Sequence, residues 1–187
     1  MTLLDHAMER LAAVTPDHAV NAHYLAAQVA AHVGDRAHVS VEAELLGTAG
    51  ALGRLRGWIA ARDVALTNAD AWLWPNPLPA MVGEWSGHTV RLSVVRDRSN
   101  SDFEGGFRYS GCCLLPAAIA AALPAEPAGL FELVWRDRIG TPELELIEHP
   151  GRFFDCGTPA ELATARAAAE PGLERAAHRS TRYDPAC

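Results

Sequence analysis

Two aspartates, each at the end of a short apolar segment, are the residues whose placement most suggests chemistry. Asp70 ends the segment 63–70, and Asp155 ends the segment 152–155, after which the chain turns at once into a helix. In open α/β sheets, ligands bind in the crevice outside the carboxyl ends of the strands. Mg²⁺ is usually held there by one or two carboxylates together with substrate phosphates. The pair therefore predicts one shared divalent cation, although either aspartate alone is more typical of a helix cap or a turn.

A glycine-rich segment lies between a predicted strand and a predicted helix. It contains Gly47, Gly50 and Gly53, and such backbone can approach a ligand closely at a helix N-terminus that favours negative charge. The spacing is G-x-x-G-x-x-G, whereas the dinucleotide fingerprint requires G-x-G-x-x-G, and the sequence has no G-K-[ST] phosphate loop. A Rossmann-like dehydrogenase is therefore excluded. A plain structural turn explains the segment at least as well as a ligand site.

Three other side chains are candidate ligand contacts. Glu132 lies in the apolar segment 130–133, where its carboxylate needs a partner, either sugar hydroxyls or the start of a helix. Trp72 and Trp74 could stack on a base or sugar, but tryptophans held between prolines more often close a loop over the core. The eight histidines show no metal-ligand spacing, so none is assigned to a metal.

Hydrophobic periodicity predicts strands and helices that alternate along the chain, which favours a three-layer α/β fold with a mostly parallel, Rossmann-like sheet. The predicted strands are 18–22, 36–42, 64–70, 90–95, 107–115, 143–148 and 152–155, and the predicted helices are 4–11, 24–33, 51–59, 78–85, 116–123, 130–138 and a last one from 158. Residues 72–77 and 96–106 are predicted loops. We expect one domain over 1–170 and a polar, flexible tail over 171–187.

Composition narrows the classes of function. The 187 residues carry a net charge of −7, so the average surface would repel nucleic acid, and every one of the 16 basic residues is arginine. The four cysteines have neither zinc-site nor disulfide-framework spacing, which favours a reduced, cytoplasmic protein. The N-terminus has no signal-peptide pattern, and no apolar run approaches membrane-spanning length.

Five motifs in order resemble the sugar-1-phosphate nucleotidyltransferase family (NDP-sugar pyrophosphorylases). They occupy 3–7, 20–25, 46–51, 67–70 and 154–159, and the resemblance extends from about residue 3 to about residue 166. Among family members, the sequence is most similar to hexose-1-phosphate types such as mannose-1-phosphate guanylyltransferase.

This resemblance implies a fold, two substrates and a metal. The fold would be the glycosyltransferase-A-like nucleotidyltransferase type, and the substrates a nucleoside triphosphate and a sugar 1-phosphate. It implies Mg²⁺ as cofactor, with Asp70 and Asp155 as catalytic residues and metal ligands. It also implies nucleotide contacts at Gly47, Thr48, Ala49, Gly50 and Asn68, and sugar contacts at Gly111 and Glu132.

The sequence departs from the family pattern at its beginning. Family members begin with a strand and a G-x-G-T-R loop, whereas this chain begins with the helix that follows them, and it lacks the phosphate-binding lysines. Arg96, Arg98 or Arg108 could replace the lysine of the family's E-K-P motif, because guanidinium binds phosphate well. The absent strand would lie beside 18–22. We therefore expect an N-terminally truncated sheet that exposes unpaired edges or needs a partner chain.

Two functions of different class remain open. The first is nucleotidyl transfer that gives a nucleotide sugar and pyrophosphate, with little or no activity expected from the 187-residue chain by itself. The second is a non-catalytic protein that binds a nucleotide or a sugar phosphate and regulates or partners another protein. The sequence predicts no membrane or nucleic-acid partner and leaves homo-oligomerisation open.

Overall fold

The computed structural model describes residues 1–168 and contains seven helices and eight strands within that range. The helices are α1 (Leu3–Ala12), α2 (Ala26–Val33), α3 (Gly47–Arg54), α4 (Arg56–Ile59), α5 (Leu78–Gly83), α6 (Ala117–Ala122) and α7 (Pro159–Ala168). The strands are β1 (Ala19–Ala22), β2 (His38–Val41), β3 (Val64–Thr67), β4 (Ala71–Trp74), β5 (Val90–Arg96), β6 (Phe107–Leu115), β7 (Leu144–Glu148) and β8 (Arg152–Asp155). Short helical turns span Gly34–Arg36, Phe131–Trp135 and Arg136–Arg138.

Local sequence signals set the starts of the first and last helices. Thr2 Oγ1 accepts a hydrogen bond from the Asp5 amide at 3.1 Å, and the Asp5 carboxylate accepts one from the Thr2 amide at 2.8 Å. The same reciprocal arrangement joins Thr158 and Glu161 at the start of α7. Both pairs satisfy amides that have no partner within the helix, so these two helices begin where the sequence predicts.

The central sheet is covered on both faces, which gives three layers. Along β6, Cys113 and Leu115 pack into the core formed with α3, α4, α6 and the turn 131–135. The alternating residues Cys112 and Leu114 pack into a second core with β4 and α5. Because successive strand side chains point to opposite faces, β6 is apolar throughout this stretch.

The sheet is divided into three hydrogen-bonded parts. The largest has the order β3-β6-β5-β7, in which β6 is antiparallel to both neighbours and β5 and β7 are parallel. β1 and β2 form a separate parallel pair, and β4 and β8 form an antiparallel ribbon. The predicted α/β class is confirmed. The strand pairing is more mixed than in the predicted mostly parallel sheet, because β6 lies between β3 and β5 and runs antiparallel to both.

The predicted loop over 72–77 is wrong in its first half. Residues Ala71–Trp74 form β4, which pairs with Arg152–Asp155, and the Trp72 and Phe154 rings lie 5.7 Å apart between centroids. The tryptophans therefore belong to a strand and not to a loop. β4 depends on hydrogen bonds to a strand far along the chain, so the local sequence, with its prolines, gave no sign of it.

The glycine-rich turn predicted before a helix at 51–59 is also wrong. Gly47 begins α3, and that helix continues to Arg54 before the chain passes into α4. Glycine is unfavourable inside helices, so propensity placed the start too late. The packing that favours this helix is described below.

No helix within residues 1–168 is both long and apolar enough to span a membrane. The predicted tail, 171–187, lies outside the described residues.

Candidate functional site

Asp70 and Asp155 lie at neighbouring positions of the β4–β8 ribbon. Ala71 is the register partner of Asp155, and the Cys156 amide donates a hydrogen bond to the Asp70 carbonyl at 2.8 Å. The two aspartates, 85 positions apart in sequence by their numbers, are thus one residue out of register across two paired strands. The ribbon therefore brings the backbones of these two residues close together.

The two aspartates contribute to different cavities. Asp70 lines a cavity of about 830 Å³, and Asp155 lines a smaller one of about 390 Å³. Both carboxylates nevertheless contribute to the electrostatic environment of one group, the Cys156 thiol. Burial raises the pKa of the Cys156 thiol, and the negative charges of Asp155, Asp70 and Glu161 raise it further.

The Asp155 carboxylate already has partners within the protein. Its Oδ1 accepts a hydrogen bond from the Gly157 amide at 3.2 Å, and its Oδ2 accepts one from Nη2 of Arg108 at 2.6 Å. The Arg108 guanidinium also lies 3.8 Å from Oδ2 of Asp97 and over the Phe153 ring. A cation at Asp155 must therefore compete with Arg108.

Of the three candidate phosphate-binding arginines, Arg108 is the one that pairs with Asp155, although Arg96 also lines the smaller cavity. Arg96 instead donates to Glu148 at 3.0 Å and lies over the Phe107 ring. Arg98 packs its aliphatic part beside Gly106. The structure therefore distinguishes Arg108 from the other two, which the sequence did not.

The predicted nucleotide contacts fall into two groups. Gly47, Thr48 and Asn68 line the larger cavity together with Asp70. Ala49 and Gly50 are buried, and their amides donate to the Ala128 carbonyl at 3.1 and 3.4 Å. Both amides therefore already have a partner inside the protein.

The glycine spacing has a packing cause. A Cβ at Gly47 would lie 2.7 Å from the Ala128 carbonyl oxygen. A Cβ at Gly50 or Gly53 would collide with the backbone of the segment 123–126. Residues three apart share one helix face, so these glycines let α3 lie directly against the backbone of 123–128. Contact with a neighbouring segment explains the pattern without a ligand.

The two predicted sugar contacts differ in their surroundings. Gly111 has φ +91° at a bulge of β6, and a Cβ there would lie 2.8 Å from that of Ala71. Its carbonyl accepts a hydrogen bond from the Asn68 amide at 2.8 Å, which places it beside the Asp70 segment. Glu132 is exposed, its carboxylate lies over Gly129, and it lines neither cavity.

Arg10 is a residue of this region that the sequence did not reveal. The residue is only 5% exposed, and its Nη2 donates to the carbonyls of Asn68 at 3.0 Å and Ala71 at 2.9 Å. Its Nε donates to Thr67 Oγ1 at 3.0 Å. The guanidinium thus holds the backbone on both sides of Asp70. No local pattern marks Arg10, because its partners lie about sixty residues away.

The donor set suits a hard divalent cation that also binds a ligand. Within residues 1–168, no group of three or more His, Cys, Asp and Glu side chains could hold a metal ion. The candidate donors are therefore two carboxylates, which matches the way Mg²⁺ is shared between one or two acids and substrate phosphates. These residues fit Mg²⁺ with a phosphate ligand better than a metal held by protein alone.

Comparisons with known proteins identify the fold. No protein-family model matches the sequence, and no curated protein matches it. Among solved structures, HddC from Yersinia pseudotuberculosis, complexed with GMP-PN, aligns with a TM-score of 0.70 at 19% identity over 89% of this chain and 84% of that chain.

Two further solved structures give the same result. A candidate glucose-1-phosphate thymidylyltransferase from Bacillus anthracis, in complex with sucrose, has a TM-score of 0.75 at 14% identity over 90% of this chain and 82% of that one. A protein described as mannose-1-phosphate geranyltransferase, from Thermus thermophilus, has a TM-score of 0.65 at 14% identity over 83% of this chain and 66% of that one. This chain therefore has the α/β fold found in structures of sugar-1-phosphate nucleotidyltransferases.

Proposed function

We propose that this chain is the scaffold of a sugar-1-phosphate nucleotidyltransferase. The reaction transfers a nucleotidyl group from a nucleoside triphosphate to a sugar 1-phosphate and releases pyrophosphate. The observation that carries the proposal is the neighbouring position of Asp70 and Asp155 on the β4–β8 ribbon, each lining a cavity. The shared fold supports it.

The reaction requires the protein to position the two substrates and to offset negative charge on their phosphates. An oxygen of the sugar phosphate attacks the α-phosphorus in line, the bond from that phosphorus to the bridging oxygen breaks, and pyrophosphate leaves with the bonding electrons. Asp70 and Asp155 would hold Mg²⁺, which when bound offsets negative charge on the phosphates. The remaining task of the chain is to align the two reactants.

Nucleotide contacts are assigned to the wall of the larger cavity. Thr48 is exposed and Asn68 half-buried there, and neither side chain has a hydrogen-bond partner within residues 1–168. Because the backbone amide of Asn68 donates to Gly111, the side-chain amide is the group left for a ligand. Gly47 lines the same wall.

Arg108 is the proposed anchor of the sugar phosphate. It is 23% exposed, it lines the smaller cavity with Asp155, and a guanidinium can bind a phosphate through two parallel hydrogen bonds. Were Asp155 to hold a cation, the Arg108 guanidinium would be free to bind the phosphate. Gly111 and Glu132 remain predicted sugar contacts.

One observation favours the non-catalytic alternative, a protein that binds a nucleotide or sugar phosphate. Arg108 already pairs with one of the two acids, and the chain has no lysine to offset charge on departing pyrophosphate. Such a protein would bind the same ligands through the same residues without turnover.

A thermal-shift panel of nucleoside triphosphates and sugar 1-phosphates tests the site, because a ligand that binds only the folded chain raises its melting midpoint. We expect a nucleoside triphosphate with Mg²⁺ to raise Tm by about 5–10 °C at about one hundred times its Kd. Asp70→Ala should remove the shift, and Asp137→Ala, which changes an exposed aspartate outside both cavities, should retain it. No shift with any ligand, or an equal shift in Asp70→Ala, would overturn the proposal.

A further inference from the structure

His149 lies at the end of the β4–β8 ribbon where Trp74 and Arg152 form the last register pair. Its Nε2 atom is 3.2 Å from the Arg152 carbonyl oxygen, and its backbone amide donates to the Val94 carbonyl at 2.7 Å. Because Val94 belongs to β5, His149 connects the ribbon to the main sheet. The opposite end of the same ribbon carries Asp155.

The His149 side chain is buried, and one of its two ring nitrogens is without a partner. The residue is 5% exposed, and its buried Nδ1 atom has no hydrogen-bond partner within residues 1–168. Because the Arg152 carbonyl can only accept, Nε2 carries the proton of the neutral ring and Nδ1 carries the lone pair. A second proton would place a positive charge and a further N–H donor in a buried position, where both cost free energy.

The turn that follows His149 is packed closely against the end of β4. A Cβ at Gly151 would lie 2.0 Å from the Trp74 carbonyl oxygen and 2.5 Å from Cδ of Pro75. The backbone of this turn therefore lies directly on that of β4. Movement of the His149 ring out of its buried position would disturb the turn and the end of β4 together.

Burial and backbone carbonyls determine the protonation of His149. Burial lowers the pKa of the imidazole, and the carbonyls of Arg152 and Trp74 offset part of this effect. The charged side chains next to the ring have other partners. Glu148 accepts a hydrogen bond from Arg96 at 3.0 Å, and the Arg152 guanidinium donates to the carbonyl of the last residue of α7. Val94 and Trp74, on the two other strands, carry no titratable group, so the closed ribbon favours the neutral ring.

This preference links the ribbon to pH. An opened ribbon would expose the ring to water, where a histidine has a pKa of about 6.5. Because the closed ribbon holds the pKa of His149 lower, the opened form takes up its proton at a higher pH than the closed form does. The closed form is therefore fully favoured above about pH 6.5 and becomes less favoured as the pH falls below that value.

We propose that His149 is a positioning residue through which protonation controls the site: the neutral ring keeps the β4–β8 ribbon closed, and acidification loosens the ribbon and the spacing of Asp70 and Asp155. Pairing across the ribbon places these two aspartates at neighbouring positions, so a looser ribbon would hold a shared cation less well. The effect on a cation rests on the proposed function. The response of the ribbon to pH does not, because it requires no ligand.

Amide hydrogen exchange in the full 187-residue chain, without any ligand, tests the ribbon directly. Mass spectrometry follows the segments 71–74 and 152–155 at pH 7 and pH 5, and the rates are corrected for the intrinsic pH dependence of exchange. We expect the protection of both segments to fall several-fold at pH 5. The limit is about thirtyfold, set by a pKa of about 6.5 in the opened form.

Three variants assign the response to His149. His149→Gln keeps an amide donor for the Arg152 carbonyl but takes up no proton, so its ribbon should be equally protected at both pH values. His149→Phe lacks the donor and should be weakly protected at both. His88→Gln changes an exposed histidine that lines neither cavity, and it should respond to pH as the unchanged chain does.

A titration of the unchanged chain keeps the proposal testable if His149→Gln does not fold. The ring protons of His149 are followed by NMR as the pH is lowered. We expect a midpoint below 6.5, in agreement with a buried neutral ring. A midpoint at or above 6.5 would overturn the proposal, because protonation would then not favour the opened ribbon.

Binding of Mn²⁺ alone, measured by electron paramagnetic resonance, tests the consequence for the site. Between pH 7 and pH 5, the affinity should fall by a larger factor in the unchanged chain than in His149→Gln. Absence of Mn²⁺ binding at pH 7 would count against the proposed function, and the exchange measurement would still decide the response of the ribbon.

Three further outcomes would overturn the proposal. The first is ribbon protection that does not fall between pH 7 and pH 5. The second is an equal fall in His149→Gln, which would assign the response to other titrating groups. The third is a Mn²⁺ affinity that falls by the same factor in the unchanged chain and in His149→Gln, because the ribbon would then not control the spacing of the two aspartates.

Discussion

The Nη2 atom of Arg108 donates a hydrogen bond to Oδ2 of Asp155 over 2.6 Å. In the proposed site, this positive charge and a divalent cation compete for the same carboxylate. Arg108→Met should therefore raise the affinity for Mn²⁺ alone by a few-fold, since the pair is partly exposed and partly screened. It should also lower sugar 1-phosphate affinity by about tenfold to one hundredfold, the loss expected for a charge-assisted hydrogen bond.

Titration calorimetry with each ligand measures both effects. Arg98→Met is the matched control, because Arg98 is exposed and lines neither cavity, and it should leave both affinities unchanged. Equal losses in the two variants would assign the phosphate effect to general surface charge.

Arg10 holds the backbone on both sides of Asp70, and its removal should affect stability and ligand affinity together. Arg10→Met leaves two carbonyls and one hydroxyl without their donor, so we expect a loss of about 3–5 kcal/mol in the free energy of unfolding. Denaturant unfolding measures that loss. The affinity of the folded variant for a nucleoside triphosphate with Mg²⁺ should also fall, because Asp70 is no longer fixed.

A variant of similar stability separates the two effects. Met81→Ala removes a buried side chain from the second core and should cost about 2–5 kcal/mol while leaving nucleotide affinity intact. Arg10→Lys should recover only part of the affinity, because an ammonium cannot reproduce the planar set of donors. Equal affinity in Arg10→Met and the unchanged chain would make Arg10 purely structural.

Gly53 is a test of the packing explanation for the glycine-rich helix. Gly53→Ala places a methyl group against the carbonyls of Leu123 and Pro124, and we expect a loss of about 1–3 kcal/mol. Gly57→Ala is the control, because a Cβ there meets nothing within 4 Å, and it should be neutral or stabilising by up to about 1 kcal/mol. Thermal unfolding of the two variants compares them directly. If both behave alike, close packing does not explain the spacing.

Sequence reasoning succeeded where the signal was local. The capping pairs Thr2–Asp5 and Thr158–Glu161 and the apolar run of β6 can be recognised within a few residues, and the structure contains each of them. It failed where the cause lies far along the chain. β4 forms by pairing with β8, and the glycines of α3 allow close contact with the segment 123–128. The buried Arg10 donates to carbonyls about sixty residues away.

The candidate site likewise has features that the local sequence predicts and features that depend on distant contacts. Asp70 and Asp155 could be singled out because each ends an apolar segment, and the ribbon does place them at neighbouring positions. That Arg108 reaches Asp155, and that the two aspartates line separate cavities, depends on the twist and packing of whole strands. Neither relationship follows from local spacing.

Turnover is expected to be little or none for the 187-residue chain by itself. The resemblance assigns charge neutralisation on pyrophosphate to a loop and lysines that this sequence does not contain. A coupled assay of pyrophosphate release with nucleoside triphosphates, sugar 1-phosphates and Mg²⁺ measures this. Rapid release would show that the arginines of this chain suffice and would exclude the non-catalytic alternative.

The most direct test of the central claim is a double-mutant cycle on Asp70 and Asp155. The affinity for a nucleoside triphosphate with Mg²⁺ is measured by calorimetry for Asp70→Asn, Asp155→Asn and the double variant. If both carboxylates hold one ion, the second substitution should cost little once the first has been made, so the double variant should bind about as weakly as the weaker single variant. Losses that add in full, or a single variant that binds as the unchanged chain does, would show that the two aspartates do not share a cation.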